Sequence, residues 1–334
     1  MSAIHAVFFN NDPYCSHFRA VFSPAVREKL RALCELGDRI YSPADLGCDE
    51  LRGAEWIFST WGMPALSEEE IRKYLPNLKI VFYGAGSVQD FARPFLACGV
   101  RVFSAWAANA VPVVEYAVSE ILLANKGFFQ SLTRMKEHDR DARDFTGMPG
   151  NFNTKVGVIG CGMIGSMVCK ALSGYRLEVL VSDPFASDEK IASVGAKRAT
   201  LEEIFSECQT ITNHTANNPQ TVGMLNYSLF SRMKPNATFI NTGRGAQVVE
   251  PDMIRALREE PGRSAVLDVT FPEPPEDDSP LWTMRNGYLT PHIAGSLGQE
   301  IERMGEYMAE EAARVSAGEP VRWEVSEKML ATMA

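Results

Sequence analysis

The sequence contains no CxxC pair, no dense run of basic residues and no cluster of histidines, and each absence removes a class of function. Its seven cysteines (Cys15, Cys34, Cys48, Cys98, Cys161, Cys169 and Cys208) are odd in number and mostly set in apolar stretches. That argues against a disulfide framework and for reduced thiols in a cytoplasmic protein. The five histidines, His5, His17, His138, His214 and His292, are scattered, so no metal site is expected. Acidic residues outnumber basic ones, 42 to 33, for a net charge of -9, and a nucleic-acid partner would ask for a basic stripe instead. The N-terminus has no basic segment leading into a long apolar one, so it reads as a first strand and not as a signal peptide. No apolar run approaches the roughly 20 residues of a membrane span. Repeats and low-complexity segments are also lacking. These absences argue against nucleic-acid and membrane partners.

With 334 residues, 46% of them hydrophobic, the chain is long enough for two domains with their own cores. Up to about residue 105, short apolar runs alternate with helical patterns. Strands are expected at Ile4–Phe9, Trp56–Ser59, Leu78–Tyr83 and Val100–Phe103. Helices are expected at Pro24–Leu36, between Ser23 as N-cap and Gly37 as C-cap, and at Ser67–Tyr74, which opens with three glutamates. Such alternation predicts a parallel sheet covered by helices. Val113–Lys126 reads as a long apolar helix, and the polar stretch 131–153 as an exposed excursion or a dimer-contacting arm. A second α/β series follows, with strands expected at Lys155–Ile159, Glu178–Ser182, Thr210–Asn213, Thr238–Asn241, Ala265–Val269 and Gly287–Thr290, then a helix from Leu297 to Gly318.

The first motif with chemistry is Gly160-x-Gly162-x-x-Gly165, directly after a strand and opening a helix over Met163–Leu172. Gly160 suits the tight turn, Gly162 the close approach of a pyrophosphate, and Gly165 the packing of helix on strand. The helix N-terminus then offers free N–H groups to phosphate. Asp183 ends the next strand 18 residues after Gly165. An acid there accepts hydrogen bonds from ribose hydroxyls and repels a 2′-phosphate, so NAD is expected over NADP.

Three later strand ends carry Arg244, Glu273 and His292. In an open parallel sheet these ends line the ligand crevice. Hydride chemistry on a 2-oxo or 2-hydroxy acid needs such groups. Arginine binds the carboxylate and polarises the C2 oxygen, histidine exchanges the hydroxyl proton near neutral pH, and a carboxylate orients the imidazole. Any one of the three is ordinary; their order downstream of the glycine motif is what carries the reading.

With these motifs the sequence resembles the D-isomer-specific 2-hydroxyacid dehydrogenases. The resemblance rests on Gly160–Gly165 with Asp183, His214–Thr221, Met233–Gly245, Leu267–Pro274, Ser279–Trp282 and Thr290–Gly295. It implies an α/β fold of two Rossmann/flavodoxin-like domains with parallel sheets. A substrate-binding domain (1–107 plus 297–334) would be interrupted by an NAD-binding Rossmann domain (108–296). The resemblance implies Arg244, Glu273 and His292 as the catalytic set, and pyrophosphate contacts from the backbone at Met163 and Ile164. It further implies nicotinamide-side contacts from Thr215, Thr242, Gly243 and Arg244, with Asp268 holding the carboxamide. The substrate carboxylate would meet N–H groups of the loop Tyr83-Gly84-Ala85-Gly86-Ser87, with Trp61, Tyr83 and Trp106 as bulky residues near the substrate. A homodimer through the cofactor domain is also implied.

Departures from the family pattern are Met163 in place of a basic residue, Ala216 where proline is common, polar Asn217 and Asn218, and Ser87-Val88-Gln89-Asp90 after the first-domain glycines. The activity expected is interconversion of a 2-oxo acid and an (R)-2-hydroxy acid. The alternative is an NAD(H)-sensing, corepressor-like binding protein on the same fold. A formate dehydrogenase relative would pair its histidine with glutamine, and Glu273 argues against that.

Overall fold

The computed structural model describes residues 4–141 and 146–331. The chain divides into two compact units, Met1–Asn109 with Ser296–Ala334, and Ala110–Gly295.

The first unit is built on strands β1 (His5–Phe9), β2 (Glu35–Tyr41), β3 (Trp56–Ser59), β4 (Ile80–Tyr83) and β5 (Arg101–Ser104). A late strand, Glu324–Val325, joins their sheet in antiparallel fashion beside β5. The first five pair in the order β5-β4-β3-β1-β2, all in parallel, the flavodoxin-like order. Every residue of β3 and β4 is buried, so both faces of the sheet are covered, as parallel sheets require. Phenylalanines fill the space, with Phe82 stacked between Phe58 and Phe103 at 5.1 Å on either side. Each ring buried in this way contributes roughly 1.5–3 kcal/mol. The long helix Glu300–Ala317 belongs to the same unit and ends on Gly318, whose φ of +67° is the left-handed conformation of a helix C-cap.

The second unit carries β6 (Thr154–Ile159), β7 (Leu177–Ser182), β8 (Lys197–Arg198), β9 (Thr210–Asn213), β10 (Thr238–Asn241), β11 (Ser264–Leu267) and β12 (Gly287–Leu289). Their order, β12-β11-β10-β9-β6-β7-β8, is parallel throughout. It is the doubly wound arrangement, whose strand order reverses between β6 and β9. Two apolar layers flank the sheet. Ile159, Phe205, Phe230 and Phe239 lie in one, while Val156, Val158, Val168 and Val181 lie in the other. Period-2 alternation along β6 supplies both layers.

Several expectations need correction. The helix expected over Pro24–Leu36 ends at Arg31, and Glu35–Tyr41 is a strand. Leu36 and Ile40 are buried and the segment pairs with β1, so a ladder partner outweighs local helical preference. The apolar helix expected from Val113 begins at Trp106 and runs through Pro112 to Asn125. It is therefore long and apolar enough, by length and composition, to cross a membrane, contrary to the expectation of no such run; 56% of its most apolar window is buried inside the protein. The excursion expected over 131–153 overlaps a helix, Phe128–Lys136, tied down by the buried Gln130, whose amide donates to the carbonyls of Asn236 and Gly262. Residues 142–145 of that stretch lie outside the described residues. Strands β8 and Glu324–Val325 were not anticipated.

Gly305, on the long helix of the first unit, faces the backbone of Val21, and a Cβ there would lie 1.9 Å from the Val21 carbonyl oxygen. Gly305→Ala should therefore cost about 1–3 kcal/mol of stability, measurable by urea denaturation; an unchanged midpoint would show that the helix shifts freely.

Candidate active site

The loop after β6 shows why its glycines are needed. Gly160 adopts φ +88°, and a Cβ on it would stand 3.0 Å from the His214 carbonyl. A Cβ on Gly165 would stand 1.9 Å from the Gly160 oxygen. Gly162 differs: a Cβ there meets nothing within 4 Å. Gly162 is also the N-cap of helix Met163–Leu172 and makes no side-chain cap. The first turn, including Met163 and Ile164, thus opens on a glycine with no side-chain cap and open space beside its Cα, which fits a dinucleotide pyrophosphate. Asp183, at the end of β7, accepts the Cys161 N–H at 2.6 Å through Oδ2, and the Phe185 and Ala186 N–H groups at 2.7 and 2.9 Å through Oδ1. The acid thereby joins the glycine loop to the turn after β7, with a lone pair left on Oδ2 for a ribose hydroxyl. No arginine follows Asp183 directly in the sequence, which runs on as Pro184-Phe185-Ala186. The fold brings Arg198 of β8 to the same turn, where Nη1 donates to the Asp183 carbonyl at 2.8 Å and the rest of the guanidinium is spent on Ala186 O and Asp188.

On the other side of the switch point, β9 ends in Asn213, followed by His214 and Thr215. The half-buried His214 lies 3.0 Å from the Thr212 hydroxyl and 3.2 Å from that of Thr242. Burial pushes its pKa down to about 3, so it is neutral and structural near pH 7. β10 ends at Asn241 and leads through Thr242 and Gly243 to Arg244. Gly245 next to it is obligatory, because a Cβ would lie 2.0 Å from the Thr270 carbonyl carbon.

Arg244 is half-buried, with Nη1 donating to the Gly243 carbonyl at 2.7 Å. Among the described residues it forms no ion pair. Burial lowers its pKa, and the nearby Glu273 carboxylate opposes that shift. Glu273 in turn holds His292, with Oε1 2.6 Å from Nδ1. His292 adopts φ +55°, an uncommon left-handed backbone for a non-glycine residue. The conformation is held from Asp268. The Asp268 carbonyl accepts the His292 N–H at 3.0 Å, and its nearly buried carboxylate accepts the Thr290 hydroxyl and the Ile293 and Ala294 N–H groups at 2.7, 2.7 and 2.8 Å. Asp268 was expected to contact the carboxamide; in the structure three of its acceptor positions already anchor the loop that carries His292.

In the first unit, the loop after β4 is also fixed. A Cβ on Gly84 would lie 2.6 Å from Val21 Cγ1, and one on Gly86 would make ordinary contact with Asn109 at 3.6 Å. The Gly84 N–H is committed to the Ser59 carbonyl at 2.7 Å. The Ser104 hydroxyl lies 2.8 and 2.6 Å from the carbonyls of Ala85 and Gly86, whose own N–H groups have no partner among the described residues. Tyr83 belongs to the core, its ring 4.9 Å from Phe91, and Trp106 packs on Trp323 at 5.6 Å. Trp61 is the exposed member of the three, at 36%. A separate cavity of about 720 Å³ in this unit is lined by Arg19, Arg27, Arg31 and Arg39. Three of those arginines are already paired with Asp38 or Asp45. Among the described residues no group of metal-ligating side chains gathers.

Residues 118–294, just over half the chain, match the family model "D-isomer specific 2-hydroxyacid dehydrogenase, NAD binding domain". Among curated proteins the chain is 29% identical over 256 residues to D-3-phosphoglycerate dehydrogenase of Archaeoglobus fulgidus, covering 76% of this chain and 48% of the relative. To the rat enzyme of that name it is 32% identical over 211 residues, covering 63% and 39%. The chain spans about half the length or less of these relatives. Among solved structures it resembles a phosphoglycerate oxidoreductase from Rhizobium etli, with a TM-score of 0.79, 22% identity, and 98% and 99% of the two chains covered. It also resembles the NAD-complexed D-isomer specific 2-hydroxyacid dehydrogenase of Lactobacillus delbrueckii ssp. bulgaricus, with a TM-score of 0.78, 20% identity and coverage of 96% and 99%. The chain belongs to the D-isomer specific 2-hydroxyacid dehydrogenase family, and the residues that match its NAD-binding domain, 118–294, lie within the second unit.

The open space at Gly162 separates folding from binding. Gly162→Val should leave thermal stability near wild type while weakening NADH at least tenfold in a fluorescence titration. Asp183→Ala should narrow the preference for NADH over NADPH, since it removes the carboxylate that repels a 2′-phosphate; an unchanged cofactor ratio would remove Asp183 from ribose recognition.

Proposed function

We propose that the protein is an NAD-dependent oxidoreductase interconverting a 2-oxo acid and an (R)-2-hydroxy acid. The observation that carries this reading is the His292–Glu273 pair at 2.6 Å, with the half-buried Arg244, which forms no ion pair among the described residues, near enough for the Glu273 carboxylate to act on its charge. The bound dinucleotide would exchange a hydride with C2 of the substrate. Gly160, Gly162, Met163, Ile164 and Gly165 would hold its pyrophosphate and Asp183 its adenosine ribose. Thr215, Thr242, Gly243 and Asp268 would lie on its nicotinamide side.

In this reading His292 keeps Nδ1–H on Glu273, which fixes the tautomer and leaves Nε2 to give a proton to the C2 oxygen or take it back. Glu273 stabilises the imidazolium whenever the ring holds both protons. Arg244 takes the substrate carboxylate and carbonyl oxygen in its planar fork, supplying an anion for a half-buried cation that is costly to leave unpaired. The loop Tyr83–Gly86 is proposed as the carboxylate-binding element of the first unit (1–107 with 297–334), through the unpaired N–H groups of Ala85 and Gly86. The committed Gly84 N–H and the buried ring of Tyr83 then play supporting roles, and Trp61 is the aromatic available to select substrates. The curated relatives from Archaeoglobus fulgidus and rat are named D-3-phosphoglycerate dehydrogenases, so this compound belongs among the substrates to test.

NADH oxidation should be followed at its absorbance against glyoxylate, hydroxypyruvate, pyruvate and larger 2-oxo acids, and NAD reduction with D-3-phosphoglycerate. Turnover of at least one should fall by about 10²–10⁴ in His292→Ala with NADH binding kept, and Arg244→Lys should be severe despite its retained charge. Retained turnover in His292→Ala would remove the general acid. No turnover across the panel with NADH still bound would move the reading to an NAD(H)-sensing protein.

Leu123, Phe128, Leu132 and Met135, exposed on the helices Trp106–Asn125 and Phe128–Lys136, support a homodimer through the second unit. Sedimentation should give twice the 36.9 kDa chain mass; a monomer at micromolar concentration would refute it. The seven free cysteines support a cytoplasmic setting.

A further inference from the structure

Three buried amides lie beneath the ends of β9 and β10, and none belongs to the proposed catalytic set. Asn213 and Gln247 are fully buried and Asn241 is 1% exposed. Asn213 donates through Nδ2 to Asn241 Oδ1 at 3.0 Å and to Gln247 Oε1 at 2.5 Å. Its Oδ1 accepts the Thr215 hydroxyl at 2.8 Å and the Thr215 N–H at 3.3 Å. Gln247 donates through Nε2 to the carbonyls of Thr215 and Ala216 at 2.7 and 2.9 Å. Its Oε1 also accepts the Arg244 N–H at 3.2 Å. Asn241 donates to the Arg244 carbonyl at 3.1 Å and accepts the Gly243 N–H at 3.1 Å.

Thus both backbone polar groups of Arg244 and both polar groups of the Thr215 backbone and hydroxyl end on the same three side chains. Reversing any one amide would set donor against donor, so the network admits one arrangement. Every member is uncharged, and the arrangement does not titrate with the site. An apolar side chain at 247 would leave the Arg244 N–H, the Asn213 amide and two loop carbonyls competing for fewer partners in a dry interior.

We propose that Gln247, with Asn213 and Asn241, is a positioning residue that couples the Thr215–Ala216 segment to the backbone of Arg244, so that the cofactor-side segment and the arginine keep one joint geometry. The roles of Thr215 and Arg244 rest on the function proposed above; the coupling itself does not.

The test is Gln247→Leu, which preserves volume and removes the amide. The variant should lose about 10- to 100-fold in kcat/KM for the 2-oxo acid, bind NADH on the order of tenfold more weakly, and exchange its Thr215 and Arg244 amide protons at least tenfold faster. A merely structural glutamine would lower Tm and leave these three readouts within twofold of wild type, and that result overturns the proposal. Thr215→Val provides a second arm should Gln247→Leu not fold. It removes only the hydroxyl on Asn213, and coupling requires faster exchange at the Arg244 N–H, which Thr215 does not touch; faster exchange confined to residues 214–216 overturns it. If the wild-type protein turns over no 2-oxo acid, the enzymatic reading fails alone, because NADH affinity and amide exchange still decide the coupling.

Discussion

The reversal of strand order between β6 and β9 is the constraint on which the second unit depends. Connections leaving β6 and β9 run to opposite faces of the sheet, so their first loops diverge and open a crevice at the carboxyl ends. The Gly160–Gly165 turn lies on one side of it, and Asn213–Thr215 on the other. At Gly160 the φ of +88°, with the His214 carbonyl 3.0 Å from where a Cβ would stand, makes a side chain at 160 strained. Everything proposed for catalysis is added at successive strand ends along the same sheet: Arg244 after β10, Asp268 and Glu273 after β11, His292 after β12.

Holding those strand ends still is a problem of buried polar groups. Loops at the rim of a parallel sheet carry backbone N–H and carbonyl groups that the ladder no longer satisfies. Here they are met by carboxylates and amides from neighbouring strand ends. Asp183 ties the glycine loop to the turn after β7. Asp268 gathers the segment from Thr290 to Ala294. The three amides at 213, 241 and 247 do the same for β9 and β10. His292 is held in its left-handed backbone conformation by such bonds, and that conformation places its ring on Glu273. Preorganisation of this kind lets an active site avoid rearrangement during the reaction.

The glycine fingerprint and the order of Arg244, Glu273 and His292 were legible in the sequence because each depends on residue type and short spacing. A missing Cβ at 160 or 165 is a local fact with a steric cause, and a strand followed by a glycine turn and a helix is contiguous in the chain. Segments whose state depends on a distant partner were misread. Glu35 and Leu36 were expected to end a helix, with Gly37 as its cap, because the pairing of Glu35–Tyr41 with β1 is not written within the segment. The helix from Trp106 was expected to begin only at Val113, although it runs on through Pro112. Gln247 gave no signal, since its partners Asn213 and Thr215 lie more than thirty residues away.

By itself, then, the sequence determined the α/β class, the dinucleotide loop and which side chains stand at the strand ends, since these follow from periodicity, glycine sterics and residue chemistry. Only the tertiary structure decided how those groups are used. It brought Arg198 to Asp183, gave Asp268 to the His292 loop, buried Tyr83, left the Ala85 and Gly86 N–H groups without a partner among the described residues, and joined Asn213, Asn241 and Gln247 into one network. Each of these turns on which donor meets which acceptor across strands that are adjacent in space and remote in the chain, and that is fixed when the sheet assembles.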